Sequence, residues 1–152
     1  MKEIEKYEEI IFENIKHVDE NGVEYWEARE LQKVLEYAQW RRFMDVINKS
    51  IITCLNSNYR VDDHFAKVGK TIKMPKGASK LVDDYKLSRY ACYLIVQNGD
   101  SRKEVISLGQ TYFAVQTRKQ ELTEKEYNDL SEDEKRLFRR NQVRKGNYNL
   151  NK

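Results

Sequence analysis

Residues 20–55, ENGVEYWEARELQKVLEYAQWRRFMDVINKSIITCL, contain the change of period that decides the fold. Asn21-Gly22 stands between two short β-prone runs, about 14–19 and 23–26. It predicts a tight hairpin, because both central residues of a type I′ turn need positive φ. From Ala28 the period becomes helical. Ala28, Leu31, Val34 and Leu35 mark one helix, closed near Tyr37. Trp40, Phe43, Met44, Ile47, Ile51 and Leu55 fall at steps of three and four and mark a longer one. Two helices joined by three or four residues make a helix-turn-helix-like pair.

Upstream, Ile4, Tyr7 and Ile11 predict a short helix over 2–13. Downstream, residues 56–66 (NSNYRVDDHFA) read as a polar loop. AKVGKTIKM and KLVDDYKLS then flank PKGASK, and Val68, Ile72, Leu81, Val82, Tyr85 and Leu87 predict a second hairpin with a basic tip. Ser88 is placed to cap a helix that buries Tyr90, Ala91, Leu94 and Ile95 and ends at Asn98-Gly99. A further helix over about 102–120 carries Val105, Leu108, Tyr112 and Val115 on one face. Thr123-x-x-Glu126 and Ser131-x-x-Glu134 are spaced as capping boxes. The expected class is α+β: two β-hairpins packed with a helix-turn-helix-like pair and further helices, plus a C-terminal helical arm. The expected division is a domain over 1–120 and a charged arm over 121–152.

Composition narrows the function. Charged residues make up 35% of the 152, against roughly 25% in an ordinary globular protein, so a large share of the surface is available for polar partners. Net charge is only +3, but it is ordered along the chain. Residues 121–134 carry seven acidic groups and one Lys, and residues 135–152 carry seven basic groups and no acid. No apolar run approaches the roughly 20 residues of a membrane helix, and the acidic start MKEIEKYEE is no signal peptide. These features lead us to expect a cytoplasmic protein with no membrane partner. Cys54 and Cys92, 38 residues apart with no CxxC, read as buried free thiols in a reducing compartment.

Catalytic patterns are missing. VGKTI resembles the end of a P-loop, but the glycine needed five residues before Gly69 is His64, so the phosphate-wrapping backbone is not provided. Asp62-Asp63-His64 has no further spaced ligands, and a metal site takes three or four converging donors. Cys92 lies inside an apolar helical pattern, where thiols are inert packing groups. The expectation is no enzyme, no cofactor and no metal.

The basic residues stand where a nucleic-acid binder would need them. Arg41 and Arg42 open the second helix of the pair, the end that enters a groove in helix-turn-helix docking. Their guanidiniums bridge phosphates or read guanine in pairs of hydrogen bonds. Lys70, Lys73, Lys76 and Lys80 surround the second hairpin's loop and would neutralise backbone phosphates, as a wing does. Against this, soluble proteins also place Lys on hairpin edges to discourage aggregation. Arg118 and Lys119 close the long helix, where its dipole favours cations in any case. Arg136, Arg139, Arg140 and Arg144 form a basic stripe suited to a polyanion or an acidic partner surface. Trp26, Tyr37, Trp40, Tyr90 and Tyr112 sit at core spacing and read as packing groups with bonded polar tips.

Residues 87–122, LSRYACYLIVQNGDSRKEVISLGQTYFAVQTRKQEL, resemble the bacterial DNA-damage-inducible protein D family. The likeness extends to ENGVEYWEARELQKVLEY, VDDHF and LSEDEKRLFRRNQ. The front half also resembles the BRO-type N-terminal domain of viral proteins and phage antirepressors. The resemblance implies a non-enzymatic factor of the DNA-damage (SOS) response, acting on DNA or on recombination proteins bound to it. It also implies relatives that continue well past LFRRNQ. From the residues and the resemblance together, the favoured expectation is a DNA-binding regulatory module. The alternative is a protein-interaction module that modulates a recombination or repair protein, or that forms a homodimer through its self-complementary arm.

Overall fold

The computed structural model describes residues 6–122 and 124–137. It is a mixed α+β fold. The described residues begin with helix α1 (Tyr7–Ile11) and a 3-10 turn over Glu13–Ile15, where the later part of a helix over 2–13 and the start of a strand at 14 were expected; residues 2–5 of that helix lie outside the described residues. Strands β1 (His17–Val18) and β2 (Glu24–Glu27) form the first hairpin. Its turn is not type I′. Gly22 has φ +79°, but Asn21 does not enter the left-handed region. The Gly22 N–H donates to Asp19 O at 3.0 Å, and Asp19 N–H donates to Val23 O at 3.0 Å. This is a type I turn followed by a left-handed glycine, the common three-residue loop. The Asp19 carboxylate makes it preferable, accepting from the Asn21 and Val23 N–H groups.

Helices α2 (Ala28–Val34) and α3 (Trp40–Asn56) follow as the expected pair. The apolar stripe of α3 runs differently from its reading. Phe43, Val46, Ile47, Ser50 and Cys54 are buried, whereas Leu55 is 61% exposed. Each step of four overshoots a helical turn by about 40°. Three such steps from Phe43 carry Leu55 about a third of the way around the helix and off the core face.

Residues 56–66 are not a plain loop. Val61–His64 form a helical turn, α4, and β3 (Phe65–Lys73) starts directly after it. The His64 Nδ1 lies 2.6 Å from Ser88 Oγ, which fixes this turn beside the next helix. A 3-10 turn over Pro75–Gly77 leads into β4 (Ser79–Leu87). The register runs from Phe65↔Leu87 to Lys73↔Ser79 without a bulge. The two hairpins do not remain separate: Trp26 pairs with Leu87 and Glu27 with Lys86, giving one antiparallel sheet in the order β1-β2-β4-β3.

Ser88 caps α5 (Arg89–Gln97), accepting from the Ala91 N–H at 3.1 Å. The long helix α6 (Glu104–Glu121) buries Ile106, Gly109, Tyr112 and Val115. Val105 and Leu108 are only half-buried at the edge of that face. A short helix, α7 (Glu124–Asn128), and helical residues 132–137 lie beyond. Ser131 Oγ accepts from the Glu134 N–H, as its capping spacing predicts, while Thr123 lies outside the described residues.

Around the fully buried α5 residues Ala91, Cys92, Ile95 and Val96 pack Phe12, Trp26, Leu31, Phe43, Ile47, Leu87 and Ile106. Cys54 and Cys92 are buried and free, and burial pushes both thiols up. Trp26 and Tyr37 behave as packing groups with satisfied tips. The Trp26 indole donates to Phe12 O at 2.8 Å, and the Tyr37 hydroxyl accepts from the Asp100 N–H. Trp40 and Tyr90 are half-buried.

Two polar arrangements hold these layers in register. Arg89 donates from Nε and Nη2 to both Glu24 oxygens at 2.8 and 3.0 Å, and to Glu8 and Glu13 at 2.9 Å each. Its guanidinium lies 5.0 Å from the Trp26 ring centroid. One side chain therefore joins α1, the 3-10 turn, the first hairpin and α5. Asp84, 1% exposed, accepts at one oxygen from the Arg29 and Tyr85 N–H groups. A strand carboxylate thus caps α2 in place of its own first residues.

Candidate nucleic-acid interface

The β3–β4 ribbon outgrows the domain body. Its inner rungs are buried at Phe65, Asp84, Tyr85 and Leu87, and Leu81 near the outer end is 72% exposed. Residues 70–82 (KTIKMPKGASKLV) contain four lysines and no acid. The alternation of strand side chains puts Lys70 and Lys80 on one face and Lys73 on the other. The tip between them is closed by the Met74 N–H donating to Ala78 O at 2.8 Å. Lys76 and Gly77 turn the chain there with φ +68° and +79°. Lys73, Lys76 and Lys80 are exposed, and no ion pair or hydrogen bond among the described residues engages their ammonium groups.

Lys70 differs from these three. Its Nζ donates to Glu27 Oε1 at 2.6 Å, and that carboxylate holds its pKa above the usual lysine range. It serves as a bracket between ribbon and first hairpin, and its charge is already matched.

Arg41 and Arg42 are exposed in the first turn of α3. Arg29, which sequence reasoning passed over, ties this helix end to the ribbon. Its Nε donates to Asp83 O on β4 at 2.6 Å, and its guanidinium lies 4.1 Å from the centroid of the Trp40 ring, the first residue of α3. The root of the ribbon and the start of α3 are thereby held one side chain apart. Arg42 also lines a groove with Lys49, Asp45, Asn98 and Arg102. Arg102 is already paired with Asp100 at 3.0 Å, and Lys103 donates to Glu36 O at 2.9 Å.

The other described cations of the expected set have partners of their own. Arg118 pairs with Glu121 at 3.5 Å, and Lys119 near it at the end of α6 has contacts of its own. Arg136 pairs with Asp133 at 2.7 Å. Arg139, Arg140 and Arg144 lie outside the described residues.

One grouping was invisible in the sequence. His17, Glu27 and Glu30 bring ligand-type atoms within 4.8 Å of one another. His17 Nε2 lies 2.5 Å from Glu30 Oε1, and the Lys70 ammonium is already on Glu27. Both carboxylates thus already have partners within the fold. No helix among the described residues is long and apolar enough to cross a membrane.

The chain is 49% identical over 140 residues to the DNA damage-inducible protein D of Escherichia coli (strain K12). That match covers 91% of this chain and 51% of the relative, so the chain spans about half the length of the curated relative it matches. No solved structure matches it. The model of the BRO family, N-terminal domain, matches residues 14–114, from the first hairpin into α6, and on that match the chain belongs to the BRO family.

Proposed function

We propose that the chain is a non-enzymatic, DNA-binding regulatory module of the bacterial DNA-damage (SOS) response. The observation that carries the reading is the ribbon of residues 70–82. It combines Lys73, Lys76 and Lys80, none matched by an acid among the described residues, with a protruding position whose root Arg29 ties to Trp40 at the start of α3. Arg41 and Arg42, exposed in the first turn of that helix, supply the second contact. The name of the relative, DNA damage-inducible protein D, supports the physiological setting. Ammonium groups on a ribbon act on phosphates, so affinity comes first from counterion release and only secondarily from base identity.

A mobility-shift or anisotropy titration across salt tests this. Affinity for duplex DNA should fall linearly on a log–log plot as salt rises, with a slope set by the number of phosphates neutralised. No binding at low salt, or binding indifferent to salt, would overturn it.

A further inference from the structure

We infer that the β3–β4 ribbon is a minor-groove arm whose Met74–Pro75 tip wedges into the base stack and bends double-stranded DNA. The inference rests on the DNA-binding reading above and specifies how that binding is done. Beyond the Lys70↔Val82 rung, three further rungs carry the ribbon out to Lys73↔Ser79, roughly 10 Å at strand rise, before the tip begins. The tip itself carries two apolar side chains beside Lys76 and is preformed. Met74 and Pro75 are exposed, and the Met74–Ala78 hydrogen bond with two left-handed residues fixes their direction.

The composition of the ribbon selects among grooves. Residues 70–82 contain no Arg, Asn, Gln, Asp or Glu. Lysine is thus the main edge-reading side chain left for either groove, so shape and the apolar tip residues decide how the ribbon docks. The minor groove, about 6 Å wide, is too narrow for the ribbon as a whole but admits side chains from its end. Methionine and proline are among the residues that architectural proteins insert between base steps there. Lys73 and Lys80 point to opposite faces of the ribbon, so each can meet one phosphate wall, with Lys76 at the tip. Leu81, exposed and lying over Gly69, adds an apolar flank on the Lys73 face. The absence of acid throughout matches a polyanion on both walls.

The test uses the full chain and a duplex of about 30 base pairs carrying donor and acceptor dyes at its ends, a length over which a protein-induced bend is resolvable. At saturating protein, energy transfer should rise as the ends approach, corresponding to a bend of about 20–90°. In the variant M74S/P75A, that rise should be lost at protein concentrations that still saturate the duplex. In K73A/K76A/K80A, the salt slope should fall by about 2.7, three phosphates at about 0.9 each. These positions are exposed, and circular dichroism of each variant should show the native helical signal.

The outcomes separate the two readings. Saturable, salt-dependent binding with no change in energy transfer overturns the wedge and leaves DNA binding standing. An equal rise in energy transfer for M74S/P75A also overturns it, by placing the bend elsewhere. Failure to bind any duplex at low salt overturns both.

Discussion

Arg89 shows how much of this fold depends on a single side chain. It gathers Glu8, Glu13 and Glu24 and covers the Trp26 ring, so its loss leaves three carboxylates facing one another at the junction of four elements. Removing the cation shared by this partly exposed cluster leaves three carboxylates in mutual repulsion that solvent only partly screens. Arg89→Met should destabilise by about 1–2 kcal/mol in chemical denaturation at neutral pH, since partly exposed pairs contribute up to about 1 kcal/mol each. Arg89→Lys should recover little of this, since a single ammonium cannot form the paired contact with Glu24 or span three carboxylates. Gly109 makes a comparable demand through absence. A Cβ there would collide with the Tyr7 phenol ring and lie 2.6 Å from Val96 Cγ1. Gly109→Ala gains about 1 kcal/mol of helix propensity, but overpacking of this kind costs about 1–3 kcal/mol. Thermal melts should therefore show net destabilisation, and Tyr7→Phe in the same background should recover part of it. The Tyr7 hydroxyl is one of the colliding atoms and is buried with no hydrogen-bond partner among the described residues.

At the scale of elements, the second hairpin is the feature whose chemistry differs most from rung to rung. Lys70 is bonded to Glu27, whereas Lys73, Lys76 and Lys80 are exposed without such a partner. Lys70→Ala should leave the salt slope of DNA binding unchanged and cost less than about 1 kcal/mol of stability, as partly exposed pairs do. A slope reduced by about 0.9 would instead mean that Lys70 reaches a phosphate. The sequence read this hairpin well because its evidence is local: alternating apolar residues on both sides of a Pro-Lys-Gly tip. The Ser88 cap and the α2–α3 pair were legible for the same reason. What escaped was non-local. The pairing of Trp26 with Leu87 fuses two hairpins into one sheet across some 60 residues, and no spacing rule reports it. Arg29, Asp84 and Arg89 likewise read as ordinary charged residues until distant elements close around them. The four-residue steps to Leu55 failed for a geometric reason, since the stripe rotates off the core while keeping helical spacing.

For the whole molecule, these buried and half-buried charges set how the fold responds to acid, and they do not all act in one direction. Hydrogen bonds from Arg89 hold the Glu13 and Glu24 carboxyls below their ordinary range. A group whose pKa is depressed on folding contributes stability that is fully present above its unfolded value and is lost as pH falls through the folded one. Those two residues therefore favour the native state at neutral pH and weaken it below about pH 4.5. Asp84 opposes them. Burial raises its pKa despite the two N–H groups it accepts from, so the folded state holds its proton more readily than the unfolded chain does. Its contribution falls as pH rises from the ordinary Asp range through the raised value, and is regained on acidification. The acid response sets the depressed carboxyls of Glu13, Glu24 and Asp100, the last held down to about 2 by the Arg102 guanidinium, against the raised carboxyl of Asp84. Removing either side should change its slope in a predictable sense. Between about pH 6 and pH 3, a window spanning the carboxylate range, the unfolding midpoint of the native chain should decline. Arg89→Met should start lower and decline less, because Glu13 and Glu24 no longer lose a partner on protonation. Asp84→Asn should decline more steeply, because a carboxyl that favours acid has been removed. Parallel curves for all three proteins would show that these sites do not set the acid limit of the fold.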